Sequence, residues 1–290
     1  MDAHSAGRTA RSLELLHSLS YFVPEVEDRL VEAGLEPGRM GYFAGRSAPM
    51  GAVGAGVVTA TFFNFSPVVI ESVIPRAWGL TTPGAVVEAR YRAVGEAYVR
   101  LLGESVTSSP EMAEAAELAS IAARGIPGVE GRPLYAGYAE VAWPDAPHLA
   151  FWHALTLLRE YRGDGHVAAL QTAGLSGLES LITHTATGFG FQKKFAITRR
   201  AWTQDQWDSA CESLRDREIL DARGELTADG KELRELVEDL TDDLALAPWA
   251  ALGEDGAARL VALATPWRDA IVAAGVFPAG VFGPKVGTSR

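Results

Sequence analysis

With a single cysteine and six histidines in 290 residues, acid–base or metal chemistry in this chain falls to its histidines and carboxylates. His153 stands in a segment that is apolar nearly all round: Leu149, Ala150, Phe151, Trp152, Ala154, Leu155, Leu157 and Leu158. Thr156 and Glu160 follow on the same helical face. A polar stripe on such a helix is either hydrogen-bonded inside a core or lines a cavity. In a cavity, His153 would be a donor or a general base near neutral pH. Arg159, Arg162, Asp164 and His166 come next. Asp164 has two readings: N-cap of a helix starting at His166, or a carboxylate orienting an imidazole while Arg159 or Arg162 grips a ligand carboxylate. The catalytic candidates are therefore His153, His166 and Asp164. His184 ends the following helix and can converge on them. The histidine intervals, 13 and 18 residues, match no ligand motif, so no metal site is expected even with Asp164 or Glu179 as further donors.

Further ligand-binding candidates lie in the first half. Tyr42, Arg46 and Asn64 flank or fall within a stretch from Ser47 to Ile70 that carries no charge. Arg46 beside such apolar surface needs a counter-charge, either an ion pair between the halves or a bound anion. Gly51, Gly54 and Gly56 offer close helix packing or room for a flat ligand. They lack the Lys-Ser/Thr ending of a phosphate loop. Cys211 lies on a buried stripe and reads as packing. No motif identifies a cofactor.

The elements that position these residues read as mainly α. Ser66-Pro67, Thr82-Pro83 and Ser109-Pro110 are N-cap signals. They open helices at Val68–Ile74, Gly84–Leu102 and Glu111–Arg124, after earlier helices at Arg11–Leu19 and Pro24–Gly34. The uncharged stretch reads as a buried core helix, Ala52–Phe63, and not as a membrane span. The Gly/Pro-rich run 125–147 reads as a linker, with a short helix over Leu134–Val141. A helix over Pro147–Tyr161 then meets a Gly163-Asp164-Gly165 turn, followed by helices over His166–Ala173 and Leu175–Thr185. Lys194–Thr198 is β-prone. Thr203-Gln204-Asp205-Gln206 is a capping box whose helix buries Trp207, Ala210, Cys211 and Leu214. Asp221–Thr227 reads as a small hairpin. An amphipathic helix over Ala228–Leu246, stopped by Pro248, precedes Asp255–Ala264 and Pro266–Ala274.

This order resembles a winged helix, and "LRDREILDARGELTADGKELRELVE" is similar to the recognition helix, wing and following helix of MarR-class regulators. "MGYFAGRSAPMGAVGAGVVTATFFNFSP", "WHALTLLREYRGDGHVAAL" and "LAPWAALGEDGAARL" resemble an actinobacterial helix-turn-helix family of uncharacterised function over about Leu13–Gly275. The resemblance implies winged-helix character, and the near-repeat of Ile74-Pro-Arg-Ala-Trp78 in Thr198-Arg-Arg-Ala-Trp202, each before a Thr-capped helix, points to two winged-helix-like halves, each with at most a small β-hairpin wing. These are an N-terminal domain over 1–124, the linker 125–147, a C-terminal domain over 148–275 and a tail over 276–290.

Charge opposes the activity such a fold usually carries. The chain has 26 basic and 37 acidic residues, a net of −11 at pH 7. Neither half is basic, and Thr203–Leu220 holds five acids against Arg215 and Arg217. Phosphate neutralisation supplies most nucleic-acid affinity, so each acid there adds repulsion. The expectation is a cytoplasmic protein that binds a small, largely apolar or aromatic molecule between its halves, with no membrane partner and catalysis left open. The site residues are those above: Tyr42, Arg46, Asn64, Thr156, Arg159, Arg162 and His184 for the ligand. The alternative is a MarR-like, ligand-responsive DNA-binding regulator, using the basic run Lys193, Lys194, Arg199 and Arg200. Oligomeric state is open.

Overall fold

The computed structural model describes residues 1–278, so the tail expected over 276–290 lies almost wholly outside the described residues. The described chain is mainly helical. The first α-helices are α1 (Ala3–Ser18), α2 (Pro24–Glu32), α3 (Arg39–Ser47), α4 (Ala55–Thr61) and α5 (Pro67–Glu71). Next come α6 (Pro83–Leu102), α7 (Glu104–Thr107), α8 (Pro110–Arg124), α9 (Pro133–Ala139) and α10 (Pro147–Thr172). The last are α11 (Gly177–Ala186), α12 (Lys193–Arg200), α13 (Gln204–Asp216), α14 (Ala228–Leu244) and α15 (Leu246–Ala273).

By contacts the chain forms two units. Unit 1 comprises Met1–Gly54, Val73–Gly165 and Asp242–Phe277; unit 2 comprises Ala55–Ser72 and His166–Thr241 among the described residues. In unit 1, α15 packs on α8 and α1, and α2 on α6. Its core includes Trp152, Tyr98, Tyr138, Phe43 and Phe151, all fully buried. In unit 2, α11 packs on α12 and α13, around Leu170, Leu178, Ile182, Trp207, Cys211, Leu214 and Val237.

Local signals set many of the helix starts. Thr82 accepts from the Ala85 N–H and Ser109 from the Met112 N–H. Ser176/Glu179 and Thr203/Gln206 form reciprocal capping boxes. These pairings satisfy donors that a helix start leaves open.

Elsewhere tertiary packing overrides the local reading. Lys194–Thr198 is not extended; it lies within α12, because Ala196 is buried in the unit 2 core and the helix ends at a left-handed Ala201. The core helix expected over Ala52–Phe63 shrinks to α4, which starts only after Gly51 at φ 83° and exposes Val57 while burying Val58. The expected hairpin comes down to one antiparallel bridge between Leu220 and Leu226. Pro248 does not stop α14; it sits in the first turn of α15, which bends at a non-helical Gly253 and continues past Pro266. The 125–147 run is packed, since α9 buries Leu134, Tyr135 and Tyr138. Gly137 allows this: a Cβ there would lie 2.9 Å from the Pro49 and Met50 backbone.

The largest departure concerns Asp164. No turn interrupts the chain at Gly163–Gly165; α10 runs straight through it. Asp164 therefore does not cap a helix at His166. Its Oδ2 instead accepts from the Leu134 and Tyr135 N–H groups, 3.0 and 2.9 Å away, at the start of α9. A Cβ at Gly165 beside it would run into the Arg132 guanidinium, which donates to the Tyr161 and Leu244 carbonyls.

Burial raises the Asp164 pKa from 3.8 to about 7, against the lowering effect of the Tyr135 and Leu134 N–H bonds. The folded chain thus holds a proton that the unfolded chain releases. Stability from this group is full below pH 4 and is lost as pH rises through about 7. Asp164→Asn keeps an acceptor without the titration, so its stability relative to the parent should rise between pH 4 and 8 in urea unfolding. Asp164→Ala should cost about 1–2 kcal/mol at pH 5.

Candidate functional site

The polar interior of unit 1 is built around Glu160, on the buried face of α10. Its carboxylate is 2% exposed and accepts from Arg46 Nη2 at 3.0 Å on both oxygens and from Arg159 Nη1 at 3.0 Å. Burial alone would raise the Glu160 pKa, but the guanidiniums of Arg46 and Arg159 outweigh it and hold the group below the ordinary carboxylate range. Arg159 also reaches Glu14, 2.9 Å away. Arg46 Nη1 donates to Tyr42 Oη at 3.1 Å. Arg46, Arg90 and Arg159 all lie over the Tyr21 ring, 5.4 to 5.9 Å from its centroid.

Arg90 enters this cluster from α6 and is 3% exposed. Its Nη1 donates to the Gly45 carbonyl and the Tyr138 hydroxyl, and its plane lies over Trp152 at 5.2 Å. His17 stacks on Trp152 with centroids 5.4 Å apart. Burial, and then the Arg159, Arg90 and Arg46 charges, push the His17 pKa well below its usual value. The ring is neutral at pH 7, as expected in a positive interior.

Two cavities border the cluster. One, of about 170 Å³, is lined by Ser20, Tyr21, Leu30, Tyr42, Arg46 and Arg90 among others. The second, of about 190 Å³, is lined by residues including Arg11, Glu14, His17, Arg159, Arg162 and Trp249. Arg162 is paired there with Asp242 at 2.6 Å.

Of the residues singled out from sequence, Tyr42 and Arg46 meet in the first cavity, and Arg159 and Arg162 in the second. His153 borders neither. It is fully buried, bonded through Nδ1 to Tyr91 Oη and set edge-on to Trp143. Burial lowers its pKa to about 4, so the ring is neutral at pH 7. Thr156 bonds to the Trp152 carbonyl of its own helix. His166 belongs to unit 2, with Nδ1 2.8 Å from Thr241 Oγ1. Also in unit 2, the Asn64 carbonyl accepts from Trp202 Nε1, and His184, on α11, packs so close to Gly190 that a Cβ there would lie 2.6 Å from its ring. Sequence reasoning missed Ser20, Tyr21 and Arg90. A signal for Arg90 existed: it falls on the stripe Val86, Arg90, Ala93, Val94, Ala97, which is buried throughout.

In unit 2, α12 and α13 form two consecutive helices joined by Ala201–Thr203. The exposed face of α13 carries Asp205, Asp208, Glu212 and Asp216 against Arg215. At the following turn, Arg223 is paired with Asp221 and Glu225. Exposed base is concentrated on α12, at Lys193, Lys194 and Arg199. Arg200 stacks on Phe65, 4.1 Å from its centroid. Among the described residues, no group of three or more His, Cys, Asp or Glu is placed to hold a metal ion, and no helix is long and apolar enough to cross a membrane.

If Glu160 neutralises the cluster, Glu160→Gln should destabilise the fold by about 3–5 kcal/mol, because it leaves guanidiniums buried without their counter-charge. Chemical unfolding at pH 7 measures this; a loss under about 1 kcal/mol would show that water already reaches the cluster.

No protein of curated function and no solved structure matches the chain significantly. The profile of one family does, across residues 6–278. On that match over nearly its whole length, the chain belongs to a helix-turn-helix family.

Proposed function

We propose that this helix-turn-helix protein binds a small molecule in unit 1 and does not read DNA through α13. The observation that carries the reading is the first cavity, into which the desolvated Arg46 and Arg90 face beside Tyr21 and Tyr42. Ligand sites are concavities with largely apolar walls and a few convergent polar groups, and this cavity has that make-up. Its lining is more polar than the sequence led one to expect. The opposing surface argument is electrostatic. A recognition helix enters the major groove between two rows of phosphate, and four exposed acids on α13 repel them. Fold alone does not assign function. In this reading the helix-turn-helix of unit 2 is a winged-helix relative of MarR type, retained as scaffold, and the protein works in the cytoplasm. His153 remains the acid–base candidate only if catalysis takes place beyond the two cavities.

A second reading rests on the exposed Lys193, Lys194 and Arg199 of α12: a ligand-responsive regulator that touches phosphates through α12.

Two measurements separate these. A thermal-shift screen of neutral and charged aromatic compounds should yield ligands that raise Tm by about 3 °C or more near saturation. Gly41→Leu, at a lining position whose Cβ would stand 3.5 Å from the lining Leu30 side chain, should abolish that shift by crowding the cavity wall. In a mobility-shift assay with genomic DNA fragments at moderate salt, no specific complex is expected. Specific retardation that disappears in Lys194→Glu/Arg199→Glu, with no compound found in the screen, would reverse the order of the two readings.

A further inference from the structure

The first cavity enters unit 1 beside α2 and α3. Exposed Val31, Glu36, Pro37 and Gly38 stand at its rim, and buried Leu30 and Arg90 lie at its inner end. Three buried donors among its lining residues have no hydrogen-bond partner: Ser20 Oγ, Tyr21 Oη and Arg90 Nη2. Buried polar groups are nearly always satisfied, so three open donors in one cavity need an explanation. All three are donors, so what would satisfy them is a group that accepts.

Charge points the same way. Arg46 and Arg159 share Glu160, and Arg159 also has Glu14. Among the described residues, no carboxylate forms an ion pair with Arg90, whose contacts are the Gly45 carbonyl, the Tyr138 hydroxyl and aromatic faces. Of these three guanidiniums, Arg90 is the one with no carboxylate at ion-pair distance among the described residues, and Glu160 acts on it only from further off. A buried charge without a counter-charge is costly. The aromatic faces around Arg90 hold its plane in place and keep water off it, which strengthens any ion pair it makes.

Resting on the small-molecule reading above, we propose that this cavity binds a small organic monocarboxylate, taken up by Arg90 Nη2 with the Ser20 and Tyr21 hydroxyls as further donors. A single guanidinium without an ion-pair partner matches a monoanion. Val23, Val26, Leu30 and the Tyr42 ring face the remainder of the cavity and supply an apolar wall for the ligand body. The volume, about 170 Å³, suits a body the size of one aromatic ring, since a cavity of roughly 150 Å³ takes up benzene. A dianion such as phosphate gains nothing from those walls and overshoots the charge. Glu27 and Glu36 at the rim oppose it further, although Glu36 is itself held by Arg76. Burial pushes the Tyr21 pKa up to about 12, so its hydroxyl keeps its proton and remains a donor at pH 7.

The test is calorimetric titration of the full chain with benzoate, its neutral isostere benzamide, and inorganic phosphate. Benzoate should bind, benzamide at least about tenfold more weakly, because a charge-assisted bond to arginine is lost, and phosphate more weakly than benzoate. In Arg90→Met the preference for benzoate over benzamide should vanish, with benzoate losing more affinity than benzamide. Equal binding of benzoate and benzamide, tighter binding of phosphate, or benzoate binding unchanged in Arg90→Met each overturns the carboxylate assignment. Those results leave the broader reading standing, because a guest blocked by Gly41→Leu would still occupy the cavity. No binding of any of the three also overturns the assignment, and the compound screen then decides the broader reading separately. The comparison of the three probes on the parent chain needs no variant, so it holds even if Arg90→Met fails to fold.

Discussion

A carboxylate at the centre of an apolar helix is the constraint on which unit 1 depends. Glu160 lies on α10 among Trp152, Leu155, Leu157 and Leu158, where an ion without partners would cost several kcal/mol. The fold meets that cost by bringing Arg46 from 114 residues away, and Arg159 from the neighbouring position, into contact with it. Tyr21 then lies between guanidiniums, His17 is kept neutral, and among the described residues no carboxylate forms an ion pair with Arg90. A buried polar cluster is secure only when every member is satisfied. Here three donors without a hydrogen-bond partner belong to residues that line one cavity.

Unit 2 shows the converse relation between scaffold and function. Trp207, Cys211 and Leu214 press α13 onto α11, so the two-helix geometry depends on buried residues that say nothing about a partner. What the surface can recognise depends on the exposed positions of the same helix, and those are acidic. Core and surface are under separate physical control, so the two-helix geometry and the charge displayed on it are set by different residues.

Where the chain's own neighbours along the sequence decide an outcome, the sequence was legible. Thr82, Ser109 and Thr203 cap helices through bonds that span only three residues. The stripe Trp207, Cys211 and Leu214 is buried as its spacing requires. The burial of His153, Thr156 and Glu160 follows from the apolar helix around them. Arg46 was legible as a cation in need of a counter-charge, but not the identity of that charge.

Sequence alone therefore determined the mainly helical class, most helix starts, the acidity of α13 and the presence of a polar stripe on α10, because each is set by local bonding, by periodicity or by a count of charges. Tertiary structure alone decided that α10 passes unbroken through Gly163–Gly165, that Asp164 serves α9, that Lys194–Thr198 coils into a helix, and that Ser20, Tyr21 and Arg90 face one cavity. Each of those outcomes turns on a group distant in the chain: the Leu134 and Tyr135 N–H groups for Asp164, the Arg132 guanidinium for Gly165, the unit 2 core for Ala196. A preference of a few tenths of a kcal/mol per residue, as local propensity provides, yields to the larger cost of leaving a buried charge, donor or methyl group without its partner.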